Sequence, residues 1–208
     1  MLSRLYQRIL GNPFVYEHVR PLVVGGVDYT TAWNDLDVGP DEVIVDVGCG
    51  TGDGHKHLTR YKAYHGFDTD PIAVDYARTR TAGRPNVHLH ARLLVESDLQ
   101  TIKPDKVMLG SLLHHLSDDE ALGLLGMLAR TPNLKRVTTV DNTPLPGRYL
   151  NNFFVRLDRG QHSRTAEGYM ALAERAGLKV TRTLLHRIHP TRGLMMLFLM
   201  RLEPPAAR

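Results

Sequence analysis

From residue 42 onward two hydrophobic periods alternate along the chain. Short runs of β-branched and apolar residues, spaced as buried strands, occur at 43–47, 63–67, 87–90, 106–109 and 136–141. Between them lie stretches with helical starts and spacing. Residues 53–60 predict a helix weak in apolar content. Residues 71–81 predict a helix opened by Pro71, with Asp70 as its cap. Ser117 and Glu120 form the S-x-x-E start of a helix that runs to about 130, before Pro132. A helix over 165–176 closes at Gly177. Runs at 180–188 and 194–202 flank His189-Pro190-Thr191-Arg192-Gly193 and predict a terminal antiparallel hairpin. Residues 143–164, rich in proline and aromatic residues, read as an irregular insertion.

Repeated strand–helix alternation implies a mostly parallel sheet with helices on both faces. The expected architecture is α/β, a Rossmann-like sheet of seven strands ending in the hairpin. Residues 1–38 carry no strand pattern and read as a helical cap before a core over 40–202, the whole 1–208 forming one domain. Leu2, Leu5, Ile9 and Leu10 fall on one face of a helix, with Arg4 and Arg8 opposite. That pattern either packs on its own domain or lies on a membrane surface. The longest apolar run, 194–200, is too short to span a bilayer.

Composition narrows this picture modestly. The 208 residues suit one domain, and the formal charge of +4 comes from scattered basic residues rather than a run. The one cysteine, Cys49, excludes an internal disulfide and a thiolate metal cluster, and a reducing, cytoplasmic setting is expected. No stripe of interleaved basic and aromatic residues marks a nucleic-acid surface.

Candidate chemistry concentrates where the first strand ends. Val43-Ile44-Val45-Asp46-Val47 runs into Gly48, Gly50 and Gly52 at alternate positions. Glycines so placed let the backbone take positive φ and let a ligand lie against it. The dinucleotide fingerprint G-x-G-x-x-G fails, because its last position would be Asp53 or His55. The D-x-G-C-G-T-G that is present resembles motif I of the class I S-adenosylmethionine-dependent methyltransferases. An arbitrary glycine-rich loop is the bland alternative.

The resemblance extends over residues 40–202. Gly66-Phe67-Asp68-Thr69-Asp70 resembles the family's G-x-D-x-S segment, which implies Asp68 on the cofactor ribose and Thr69 beside the adenine. The acid expected after strand three is replaced by Ala91 and Arg92, so backbone groups near Arg92 and Leu93 are assigned to the adenine. Residues 105–120, with Leu-Leu-His-His-Leu, resemble the strand-four segment, and 165–180 the family's late helix and strand. The implied cofactor is S-adenosyl-L-methionine, held by Asp46, Gly48, Cys49, Gly50, Gly52, Asp68, Thr69, Arg92, Leu93, Gly110 and Ser111.

Methyl transfer from a sulfonium needs alignment and exclusion of water, and a hydroxyl acceptor gains from a nearby base. His115 and then His114 are the candidates, each with a packing role as the alternative. Tyr16, Arg20, Asn142 and Tyr149 are candidate substrate contacts. No metal is expected, since adjacent histidines lack a matched third ligand. The absence of [DNS]-P-P-[YFW], and of a cysteine outside the glycine turn, disfavours methylation of DNA bases. A small-molecule acceptor, methylated at oxygen, is the leading expectation. The alternatives are an RNA or protein methyltransferase using Arg148, Arg156, Arg159 and Arg164, and a cofactor-binding protein without transferase activity.

Overall fold

The computed structural model describes residues 27–84, 86–158, 160–191 and 194–205. The elements run α1 (Thr30–Leu36), β1 (Val43–Val47), a 3₁₀ turn (Asp53–His57), β2 (Ala63–Asp68), α2 (Pro71–Arg80), β3 (Val87–Ala91), α3 (Glu96–Ile102), β4 (Lys106–Gly110) and a second 3₁₀ turn (Leu113–His115). There follow α4 (Asp118–Ala129), β5 (Arg136–Asn142), α5 (Tyr149–Leu157), α6 (Ala166–Arg175), β6 (Lys179–Arg187) and β7 (Met196–Glu203).

The seven strands form one sheet in the order β3-β2-β1-β4-β5-β7-β6. Strands β1 to β5 pair in parallel, while β7 runs antiparallel to both β5 and β6. This is the Rossmann-like sheet with a terminal hairpin that the alternation implied. Strand order reverses between β1 and β4, which opens a crevice at their carboxyl ends.

Strand β1 shows why the core has two halves. Ile44 packs with Trp33, Leu36, Tyr64, Met108 and Val155 on one face. Val45 and Val47 pack with Leu99, Leu125, Leu128, Tyr169 and Leu172 on the other. Side chains alternate across a strand, so a strand covered on both faces must be apolar at every position. Asp46 is the exception, and it sits where the sheet meets the crevice.

Four elements differ from expectation, the first being α3 (Glu96–Ile102), which the sequence pattern did not predict. The helix expected over 53–60 is only the 3₁₀ turn Asp53–His57, because glycines 52 and 54 interrupt it and Leu58 is already extended. Residues 30–36, expected in a cap, form α1 with Ala32, Trp33 and Leu36 inside the core. The buried Asp35 ties α1 down through ion pairs with Arg182 at 2.9 Å and Arg201 at 2.8 Å. The insertion contains α5, whose Val155 belongs to the same cluster as Trp33. The expected helices of residues 1–26, including the pattern at 1–10, lie outside the described residues. Among the described residues no helix is long and apolar enough to cross a membrane.

Candidate active site

The glycine turn hangs from the end of β2. The amides of Gly48 and Cys49 both donate to the Phe67 carbonyl, at 2.8 and 3.1 Å. Gly48, Gly50 and Gly52 have φ of 76°, 50° and 76°, a region that favours glycine. At Gly50 a side chain would meet nothing within 4 Å, so this backbone faces open space that a ligand can fill. At Gly52 a Cβ would lie 2.9 Å from that of Ala77, so this glycine serves close packing.

Two carboxylates bracket the turn. Asp68 accepts from the Gly50 amide at 2.8 Å with one oxygen and from the Asp70 amide at 2.9 Å with the other. Asp46 is buried and accepts from the Tyr64 hydroxyl at 2.5 Å. Burial pushes Asp46 up to about 7, Tyr64 opposes this, and nearby Asp68 adds to it. A cationic ligand supplies the charge that this desolvated acid lacks, whereas a phosphate would compound the repulsion. The donor set thus fits the sulfonium and ammonium of S-adenosylmethionine.

At the end of β3, Arg92 forms a two-pronged pair with Asp98, both contacts at 2.6 Å, and lies over the Phe67 ring at 5.2 Å. Asp98 is therefore engaged with Arg92 rather than facing the cavity. At the end of β4, Ser111 has φ of 53°, an uncommon conformation for a side-chain-bearing residue. Its hydroxyl accepts from Tyr29 at 2.7 Å, which joins the entry to α1 to the tip of β4.

The second 3₁₀ turn presents the two histidines in different settings. His115 is exposed and faces the crevice, while His114 is buried behind it with ring centroids 4.2 Å apart. His114 Nδ1 lies 2.8 Å from Asp141, and its Nε2 lies 3.2 Å from Asp158 at the end of α5. Burial alone would lower the His114 pKa, but the two carboxylates outweigh it and push the group up to about 9. His114, His115 and Asp158 offer ligand atoms within 4.8 Å of one another, so the third ligand absent from the local sequence is brought in by the fold. A metal would have to displace the proton that holds His114 between its two acids.

The crevice has a volume of about 450 Å³, within the range of small-molecule sites. Comparisons with known proteins agree with this geometry. Residues 44–142 match the family model described as "Methyltransferase domain", spanning β1 to the end of β5. Residues 44–142 are a class I S-adenosylmethionine-dependent methyltransferase domain. None of the curated proteins compared with it gives a significant match. Many solved structures share its fold. The YcgJ protein from Bacillus subtilis has a TM-score of 0.62 at 13% identity, over 85% of this chain and 97% of its own. The mitomycin 7-O-methyltransferase MmcR has a TM-score of 0.60 at 20% identity, over 98% of this chain and 57% of its own. The N-methyltransferase NodS from Bradyrhizobium japonicum has a TM-score of 0.62 at 16% identity, over 85% of this chain and 94% of its own.

The methyltransferase gathers many of the residues expected from sequence into one cavity. Asp46, Gly48, Cys49, Gly50, Asp68, Thr69, Arg92, Leu93, Gly110, Ser111 and His115 all line it. Gly52 shapes the turn from behind, and His114 lies beneath His115. Two expected substrate contacts fall elsewhere. Asn142 is buried, accepts from Ser163 at 2.6 Å and from Tyr169 through its carbonyl, and so packs the end of β5. Tyr149 is 86% exposed on α5, outside the lining. Tyr16 and Arg20 lie outside the described residues. Sequence reasoning missed Tyr29, Trp33 and Met108 in the lining, Tyr64 against Asp46, and Asp158 against His114. None of these had a local signal: Tyr64 pairs with Ile44 across β1 and β2, with Gly66 opposite Asp46, and its hydroxyl reaches Asp46 only in the fold.

Proposed function

We propose that this methyltransferase moves the methyl group of S-adenosylmethionine to an oxygen of a small-molecule acceptor, with His115 taking the acceptor's proton. His115 carries the reading: among the described residues it is the one imidazole lining the cavity, and it lies with Gly110, Ser111 and Leu112 at the carboxyl end of β4. His114 stands behind it as an imidazolium with Asp141 at Nδ1 and Asp158 at Nε2, so it positions His115 and supplies positive charge rather than acting as the base.

Asp46 and the Gly48–Gly52 turn hold the methionine part of the cofactor. Asp68 takes the ribose hydroxyls, with Thr69 beside it, and Arg92 and Leu93 border the adenine. Gly110 and Ser111 lie nearest the methyl. The acceptor side is walled by Tyr29, Trp33, Leu112 and Leu116, which suits a flat, largely apolar molecule with a hydroxyl. Both the O-methyltransferase MmcR and the N-methyltransferase NodS share the fold, so the choice of oxygen rests on His115. The reaction so read needs no metal, and a reducing, cytoplasmic setting fits the lone thiol.

The arginines invoked for an RNA or protein acceptor do not converge. Arg164 is spent on Asp118 at 2.6 Å and on the carbonyls of Leu113 and Leu116, both at 2.8 Å. Arg148 and Arg156 lie on α5 outside the cavity lining, and Arg159 lies outside the described residues.

Replacing His115 by alanine tests the proton role. Turnover with a hydroxyl acceptor should fall about a hundredfold or more, while cofactor affinity stays constant. Unchanged turnover would remove the assignment.

A further inference from the structure

Helix α5 is apolar on two opposite faces. Inward, Val155 joins the core, and Asn151 donates to Thr143 at 2.9 Å and accepts from the Met196 amide at 2.7 Å. Outward, Tyr149 is 86% exposed, Leu150 65%, Phe153 56% and Leu157 42%. At helical spacing these four fall within an arc of about 100°. Exposed large side chains are ordinary singly, but four on one face mark a contact surface. Arg148 and Arg156 flank them, both exposed, and neither side chain makes an ion pair among the described residues.

We propose that this face of α5 docks on an anionic lipid surface. Two aromatic rings and two leucines flanked by arginines have the composition of an interfacial helix: the apolar face enters the headgroup boundary and the guanidinium groups meet lipid phosphates. Charge selects this occupant. A second copy of the chain would bring arginine against arginine. Residues 1–26 carry three arginines against one glutamate, so they too would set like charge against Arg148 and Arg156. The end of α5 connects to the active site, because Asp158 lies 3.2 Å from His114, whose ring packs behind that of His115. If the acceptor site is as read above, an amphipathic acceptor held in the bilayer would be presented beside it.

The test is sedimentation of the full chain with vesicles of phosphatidylcholine and phosphatidylglycerol, against phosphatidylcholine alone, with no acceptor or turnover involved. Wild type should bind the anionic vesicles and release in high salt. The double variant Leu150→Asp/Phe153→Asp should bind about tenfold or more weakly, with its melting temperature and cofactor affinity unchanged. Arg148→Glu/Arg156→Glu should lose the preference for anionic lipid. The proposal is overturned if wild type does not sediment, or if the α5 variants bind as well as wild type while Leu5→Asp/Ile9→Asp abolishes binding. It is also overturned if the chain is a dimer that Leu150→Asp/Phe153→Asp dissociates without any lipid binding, or if it binds RNA and not vesicles.

Discussion

His114 shows how a long-range contact decides a residue's chemistry. Asp141 comes from the end of β5 and Asp158 from the end of α5, and together they hold the imidazole proton. The folded value of about 9 lies above the ordinary 6.5. A raised histidine contributes stability that is fully present below pH 6.5 and is lost as pH rises through 9. Urea titrations across that window should show the wild type losing about 1–3 kcal/mol. His114→Gln should be less stable at neutral pH and should lack the alkaline decline. An identical alkaline limb in the two proteins would refute the ion-pair account. The sequence placed His114 beside His115, and Asp141 at the end of a strand. It held no sign of Asp158, because the insertion carries no periodic cue for where its end returns.

At the scale of elements, buried pattern is what made structure legible. Val43 to Val47 and the glycines after them are dictated locally, so β1 and the turn were readable from sequence. Helix α3 was not, since Leu99 is its one fully buried side chain among seven residues. Helix α5 was hidden by Pro144, Pro146 and Gly147 just before it, and by a second apolar face that blurs the period. Helix α1 looked like a cap because its burial comes from β4, β5 and β7, all distant in sequence.

The edge strand β3 and its neighbour β2 carry a stack of their own. His65 lies 4.6 Å from His88 and 5.8 Å from His90 between ring centroids, and His90 lies 4.4 Å from Phe67. Burial, and then the two neighbouring imidazoles, lower His65 from 6.5 to about 4. The unfolded chain therefore binds a proton that the folded chain refuses. Stability is full above pH 6.5 and declines as pH falls toward 4, by about 1–3 kcal/mol. His65→Phe should flatten that decline in denaturant midpoints measured across the window. A decline as steep as wild type would show that other groups drive it.

Across the whole molecule, the sheet order does the positioning. Reversal between β1 and β4 sets the glycine turn, Asp68 and the His115 turn around one crevice, with α1 closing its side through Tyr29 and Trp33. The two core halves fix β1 from both faces, so the turn's backbone is held before any ligand arrives. The cofactor end was legible because each contact lies within a few residues of a strand end. The acceptor end depends on α1, which is held by strands distant in sequence, so no local pattern encodes its placement.

Asp68 links the two scales, as its carboxylate braces Gly50 and lines the crevice where we propose the ribose binds. Calorimetry with S-adenosylmethionine should show Asp68→Ala binding at least about tenfold more weakly than wild type. Equal affinity would contradict the ribose assignment.

Methyl transfer to an oxygen of a small molecule in this crevice can be read out by incubating the enzyme with a metabolite extract and S-adenosylmethionine carrying a carbon-13 methyl group. A new labelled methoxy signal is expected in the small-molecule fraction, absent with Asp68→Ala and strongly reduced with His115→Ala. Label that appears only in the RNA or protein fraction, or in a small molecule at nitrogen or carbon, would contradict it.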